Sequence, residues 1–273
     1  AGLGLLTKHI ADYLKEYDPS RYNKTTFIVS DISETFISQL KDSTFFKEHQ
    51  KQIHFKVINA ASFKLDFEID FAYSAYLLDS FSAYHIEVTK EKKIREILIQ
   101  SLIKKESAYF DHTQFPPQSI TAANLKKHFN QSKLANNLQL SKDFIHEVEE
   151  LYDFIPIEES QLSGYPSFKA LLSFIKQWES TDSIRFNYSP DIDSHLESVF
   201  YHLDQHGLYL ISDFGFANTM MNTPVPFLQT CYGIHSFYPA CFPYITFTIQ
   251  QLGGRSLITE QDLDNTQDML ISK

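Results

Sequence analysis

Cysteine is almost absent from this chain: Cys231 and Cys241 are the two in 273 residues. Two thiols cannot build a disulfide framework, so the reading is of reduced thiols in a cytoplasmic protein, with one bridge between them as the alternative. Tryptophan occurs once, methionine three times and glycine eight times, against 24 Phe and 15 Tyr. Rings and branched aliphatics must therefore pack the core. No apolar run reaches the ~20 residues of a membrane-spanning helix. Basic charge is scarce as well. The net charge is -10 and the longest basic strip is Lys90 to Lys93, which argues against a nucleic-acid partner, because phosphate binding needs a basic face. There is no Walker glycine-lysine loop, no Gly-x-Ser-x-Gly elbow and no internal repeat, which removes the support for phosphate-loop and serine-hydrolase chemistry. The chain opens at Ala1 within what reads as a motif, so a preceding segment is expected and no targeting signal is read.

What is there begins with helix. Leu6, Ile10, Tyr13, Leu14 and Tyr17 recur at spacings of three and four, and Pro19 should stop the helix near Asp18. Residues 25–30, TTFIVS, form a β-rich run closed by Asp31; a second helix follows with Phe36, Ile37 and Leu40 turned inward. Two further strands are expected at 53–58, closing on Asn59-Ala60, and at 67–73, closing on Ser74-Ala75. Helix and strand alternating through short connections predict α/β, with a Rossmann-like, mainly parallel sheet covered on both faces.

Residues 84–88 and 94–100 flank the charged TKEKK as a hairpin, the second run being equally open to helix. Residues 121–152 are polar and helical in pattern, with Phe144, Val148 and Leu151 as an apolar stripe. We therefore divide the chain into an α/β domain, 1–88 and 186–273, and a largely helical insertion or cap, 89–185. The resumed pattern predicts a helix over 192–206 ended by Gly207, a strand at 208–212 running into Asp213-Phe214-Gly215, a strand at 242–249 and a frayed polar tail.

In an open parallel sheet, ligands bind beyond the carboxyl ends of the strands. That singles out residues 1–4, Asp31-Ile32, 59–62 and 74–82. Glycine ahead of a helix lets the backbone approach a ligand. A carboxylate closing the second strand accepts hydrogen bonds from both ribose hydroxyls, and a polar residue closing the third meets an adenine edge. Each signal has a plainer alternative: a structural turn for the glycines, a helix cap for Asp31. Gly4 stands 27 residues before Asp31, longer than the ~20 usual for a dinucleotide fold.

AGLGLLTKHIADYL resembles the glycine-rich first motif and helix of MidA-type class I S-adenosylmethionine-dependent methyltransferases, the group that includes the mitochondrial complex I assembly methyltransferase. FIVSDIS resembles that family's second strand with its acidic end, FAYSAYLLDSFSAYHIE its Asn-Glu-Leu-Leu-Asp segment, and GLYLISDFGF its later strand ending Asp-Tyr-Gly. The resemblance covers 1–88 and 186–252. It implies S-adenosylmethionine as cofactor and methylation of a protein side chain, arginine in the best-known members. Gly2 and Gly4 would face the methionine part, Asp31 would hold the ribose and Asn59-Ala60 would lie beside adenine, with Ile32 and Ser74 also in the cofactor-binding set. Tyr76, Asp79 and Asp213 would form the catalytic set. The family's Asn-Glu is Ala75-Tyr76 here, its Pro is Ser82 and its Tyr is Phe214. A carboxylate accepts two parallel N–H bonds from a guanidinium and Tyr76 cannot. The family's first strand and preceding acidic residue are expected upstream of Ala1.

Two other readings compete. A degenerate methyltransferase kept as a partner-binding module is motivated by Ala75-Tyr76; an NAD-linked oxidoreductase would use the same glycines and Asp31. His202 and His206 are four apart, but lack the Glu of a zinc protease and a third ligand, and read as solvent-facing. Phe237-Tyr238 and Phe242-Pro243-Tyr244 read as core or interface.

Overall fold

The computed structural model describes residues 4–103, 148–158, 166–177, 183–216, 231–232, 235–236, 239–259 and 266–273. The amino-terminal part alternates as expected: α1 (Leu5–Tyr17), α2 (Pro19–Lys24), β1 (Phe27–Asp31), α3 (Glu34–Asp42), a 3-10 turn (Thr44–His49) and β2 (Ile53–Val57). α1 stops at Asp18, whose carboxylate then accepts from the Arg21 N–H and caps α2, with Pro19 fitting the first turn where no N–H is needed. β1 and β2 pair in parallel, Asp31 level with Val57. Ala11, Tyr22, Val29, Leu40, Phe46 and Ile53 form a small core around them. In α1 the buried residue is Ala11, while Tyr13 and Tyr17 lie exposed.

The second body is a nine-stranded sheet. Its strands are β3 (Ile69–Ala75), β4 (Tyr84–Val88), β5 (Ile94–Ile103), β6 (Val148–Pro156), β7 (Ile184–Tyr188), β8 (Leu203–Phe216), β11 (Ala240–Cys241), β12 (Arg255–Ile258) and β13 (Thr266–Ser272). β9 (Cys231–Tyr232) and β10 (His235–Ser236) pair with each other apart from it. Among the described residues, three helices accompany it: α4 (Pro166–Gln177), α5 (Pro190–His202) and α6 (Phe242–Gln251). The architecture is α/β with a mixed sheet. β3–β8, β7–β11 and β8–β11 are parallel, whereas β4–β5–β6, β4–β7, β8–β13 and β12–β13 are antiparallel. The parallel pairing read from the sequence is present in β1–β2 and β3–β8, while β4–β7, the insertion and the tail add antiparallel ladders.

Several local expectations are corrected. Within the described part of the insertion, which holds β5, β6 and α4, Val148 and Leu151 lie in β6, which pairs β5 along its length, rather than in a helix, while Phe144 lies outside the described residues. β4 and β5 do form the hairpin, closed by Thr89 and Lys93 with Lys92 left-handed. Gly207 does not end α5. The helix stops at His202, and Gly207 lies within β8, where a Cβ would stand 2.6 Å from the Ile69 carbonyl oxygen. Residues 242–249 are helix rather than strand. Pro243 suits a first turn, and burial nearly all round removes the period that separates the two states. Phe242 and Tyr244 are core residues there; Phe237 and Tyr238 lie outside the described residues. In the tail, Thr266–Ser272 does not fray: β13 is paired on both sides, and Met269 and Ile271 are buried.

Tyr209, Ile211, Met269 and Ile271 pack against α5 and α6 through Leu196, Val199, Phe242 and Ile245. A neighbouring core under α4 gathers Ile86, Leu171, Phe174, Phe186 and Tyr188. Buried Glu87 of β4 takes the guanidinium groups of Arg95 and Arg185, both of which lie over the Phe154 ring. This pairing meets the requirement of a buried charge. Among the described residues no helix is long and apolar enough to cross a membrane.

Candidate functional site

The residues singled out from the sequence fall into two groups, one at each pair of parallel strand ends. Gly4 is the left-handed residue before α1, at φ 67°, and a Cβ on it would come within 2.6 Å of Phe46 Cζ. Glycine is required there by backbone and by space alike. Gly2 lies outside the described residues. Asp31 closes β1, half-buried, and its Oδ1 accepts the Ser33 N–H at 2.9 Å. Ser33 in turn caps α3 through the Phe36 N–H. Ile32 is exposed beside it. Asn59 makes the same kind of turn after β2, its Oδ1 accepting from Ala61 at 3.1 Å. Both turns are local, so the side chains stay near the surface.

The second group is built differently. β3 ends at Ala75, opposite Ser212, whereas β8 runs on past the expected end at Asp213 to Phe216, and Tyr76 then turns into the left-handed region at φ 51°. That conformation is unusual for a ring-bearing residue. It is held by four hydrogen bonds. The Tyr76 N–H donates to the Ser212 carbonyl at 2.9 Å, and the Leu77 and Leu78 N–H groups donate to Asp213 Oδ2 at 2.9 and 2.7 Å. Asp213 Oδ1 takes the Phe214 N–H at 2.8 Å. The Asp213 side chain is fully buried. Burial first, and then the charge of Asp79, push its carboxyl up to about 7 against the pull of those three N–H donors. Asp79, in the 3-10 turn Leu78–Ser80, is also raised, by burial. The Tyr76 ring is exposed and leans on Phe214, with centroids 4.9 Å apart at 35°.

Ser74, expected to face the cofactor, is buried, and its hydroxyl meets Tyr209 Oη at 2.7 Å. Tyr209 Oη lies 2.7 Å from His195 Nε2, and His195 Nδ1 lies 2.7 Å from the Ala60 carbonyl. A carbonyl only accepts, so Nδ1 donates, Nε2 accepts from Tyr209, and Tyr209 accepts from Ser74. Burial drives His195 down to about 4, consistent with a neutral ring. Sequence reading passed over His195, since a lone histidine inside a helix carries no spacing signal. His202, expected in solvent, is buried at the end of α5, its Nε2 accepting the Leu65 N–H at 3.0 Å; His206 is exposed on β8. The two do not share a helix, because α5 ends between them.

Asp193 was likewise unmarked. Its carboxyl receives the hydroxyls of Tyr244 at 2.8 Å, Tyr188 at 3.2 Å and Thr248 at 3.4 Å, and burial lifts it to about 7. The residues converge from β7, α5 and α6, which no sequence interval announces. Cys241 is a free, buried thiol that burial pushes up to about 12, so it is not a nucleophile at neutral pH. Among the described residues no cluster of three His, Cys, Asp or Glu could hold a metal ion.

No family model, curated protein or solved structure matches this chain.

Proposed function

We propose that the chain is an S-adenosylmethionine-dependent methyltransferase acting on a protein side chain. The observation that carries the reading is positional. Of the residues that the family resemblance marks, Gly4 lies at the start of α1, Asp31 and Asn59-Ala60 at the carboxyl ends of β1 and β2, and Tyr76 and Asp79 just beyond the carboxyl end of β3, with Asp213 of β8 beside them. Those are the positions where an α/β sheet binds ligands.

The donor set suits an adenosine. Asp31 offers a surface carboxylate for the ribose hydroxyls, Ile32 an apolar contact, and the Asn59-Ala60 turn polar backbone for the base. Gly4 brings backbone close to the methionine portion. The cofactor supplies a methyl group already activated on a sulfonium, which leaves alignment as the chief task of the protein. Tyr76 presents a ring and a phenol to the acceptor in place of a carboxylate, and Asp79 stands beside it as a hydrogen-bond partner. Asp213 acts through the backbone, fixing the turn that carries both. Replacing a carboxylate by Tyr76 removes the bidentate grip on a guanidinium, so the acceptor is a side chain that a phenol and an aromatic face can orient.

Calorimetric titration with S-adenosylmethionine and its demethylated product tests the reading. Micromolar binding that disappears in Asp31→Ala is the expected result. Absence of heat at millimolar cofactor would overturn it and favour a partner-binding module.

A further inference from the structure

The loop that follows β2 is held by one face of α5. His195, Ser198 and His202 are spaced by three and four residues, which sets them on one side of the helix. Each takes a backbone group of the loop. His195 Nδ1 donates to the Ala60 carbonyl at 2.7 Å, Ser198 Oγ accepts the Phe63 N–H at 3.3 Å, and His202 Nε2 accepts the Leu65 N–H at 3.0 Å. The Phe63 ring stacks on His202, with centroids 6.0 Å apart at 18°. On its other edge His195 receives the Tyr209 hydroxyl, and through it Ser74 of β3.

These contacts join two bodies that no strand ladder joins. β1 pairs with β2, and β3 pairs with β8, but among the described residues neither pair extends to the other. A pocket made from both needs some other device to keep its halves in register, because methyl transfer depends on in-line geometry at sub-ångström tolerance. We propose that the His195–Ser198–His202 stripe of α5 is that device: three positioning residues that fix the Asn59-Ala60 turn, and with it Asp31, relative to Tyr76 and Asp79. The proposal rests on the methyltransferase reading.

Two replacements of one histidine separate its bonds. His195→Asn puts an amide donor where Nδ1 stands and abandons Tyr209. His195→Gln puts its amide where Nε2 stands and leaves the Ala60 carbonyl without its donor. The full chain is titrated with S-adenosylhomocysteine, and amide hydrogen exchange is followed over residues 60–65, with thermal unfolding as the check on folding. His195→Asn is expected to bind within about threefold of the parent. His195→Gln is expected to weaken binding about tenfold, the loss of roughly one hydrogen bond to a neutral partner, and to speed exchange at Phe63 and Leu65. Ser198→Ala should expose the Phe63 amide and weaken binding several-fold; if His195→Gln does not fold, this smaller truncation decides. Parent and variants binding alike would overturn the proposal while leaving the methyltransferase reading intact. A parent that does not bind would overturn the reading itself, and the proposal with it.

Discussion

Asp31 closes β1 and Asp213 lies in β8 beside the end of β3, and the protein uses the two carboxyl groups in opposite ways. Asp31 takes the Ser33 N–H in a local turn and is half-buried near the surface. Asp213 is fully buried and takes three backbone N–H groups, two from the turn across the sheet. The body around β1–β2 has a small core fed by neighbours in sequence. The body around β3–β8 is knitted by contacts more than a hundred residues apart, such as Leu77 to Asp213 and Ser74 to Tyr209. The difference separates two duties of a carboxylate at a strand end: a surface acid can meet a ligand, and a buried one shapes the backbone that does.

The sharpest way to break this comparison is to truncate both acids. Asp213→Ala should cost about 3 kcal/mol, since it strands three N–H groups, that of Leu78 buried and those of Leu77 and Phe214 partly so. Asp31→Ala should cost less than about 1 kcal/mol, the worth of an exposed turn bond, while removing cofactor binding. Urea unfolding and calorimetry measure the two effects, and equal stability losses would refute the division of duties. Next in size is Gly4→Ala, expected to destabilise by about 1–2 kcal/mol through positive φ and the clash with Phe46. The midpoint of chemical denaturation reads it directly.

The pH dependence of stability sharpens the contrast further. Asp193 and Asp213, raised to about 7, hold protons more tightly when folded, so stability falls as pH climbs from about 4 towards 7. His195, lowered to about 4, works in the other direction: its contribution is full above about 6.5 and is lost as pH falls towards 4. Asp193→Asn should flatten the fall between pH 5 and 7 by up to about 1.4 kcal/mol per pH unit. An unchanged slope would show that Asp193 is ionised in the fold. The smallest effect is expected from Tyr76→Asn, which suits the left-handed region. It should change stability by less than about 1 kcal/mol while reducing turnover of the acceptor, read as a separation between steady-state rate and Tm.

Much of the first body was legible in the sequence because its signals are local. Pro19 ends α1, Asp31 and Asn59 close their strands with side-chain turns, and Ile37 and Leu40 face inward on α3 as their spacing requires. In the second body the same reasoning failed where burial was complete. Residues 242–249 are buried nearly all round and show no period to read, so a helix passed for a strand. The tail, polar in composition, became a strand because Met269 and Ile271 find the face of β8 already lined by apolar residues. Gly207 looked like a helix stop and proved to be a point of close packing against Ile69.

Of the candidate site, the sequence by itself determined which residue types stand before α1 and beyond β1, β2 and β3: Gly4, Asp31, Asn59, Tyr76 and Asp79, whereas Asp213, expected to end its strand, lies inside β8. It did so because strand ends are marked by local turn chemistry and short-range pattern. Only the tertiary structure decided how those residues are used. That Asp213 is buried beneath a turn from β3, that Ser74 faces Tyr209 and not the strand ends, and that His195, Ser198 and His202 hold the loop after β2 all depend on contacts between distant segments. Protonation state and hydrogen-bond partner follow from burial, and burial is a property of the packed chain.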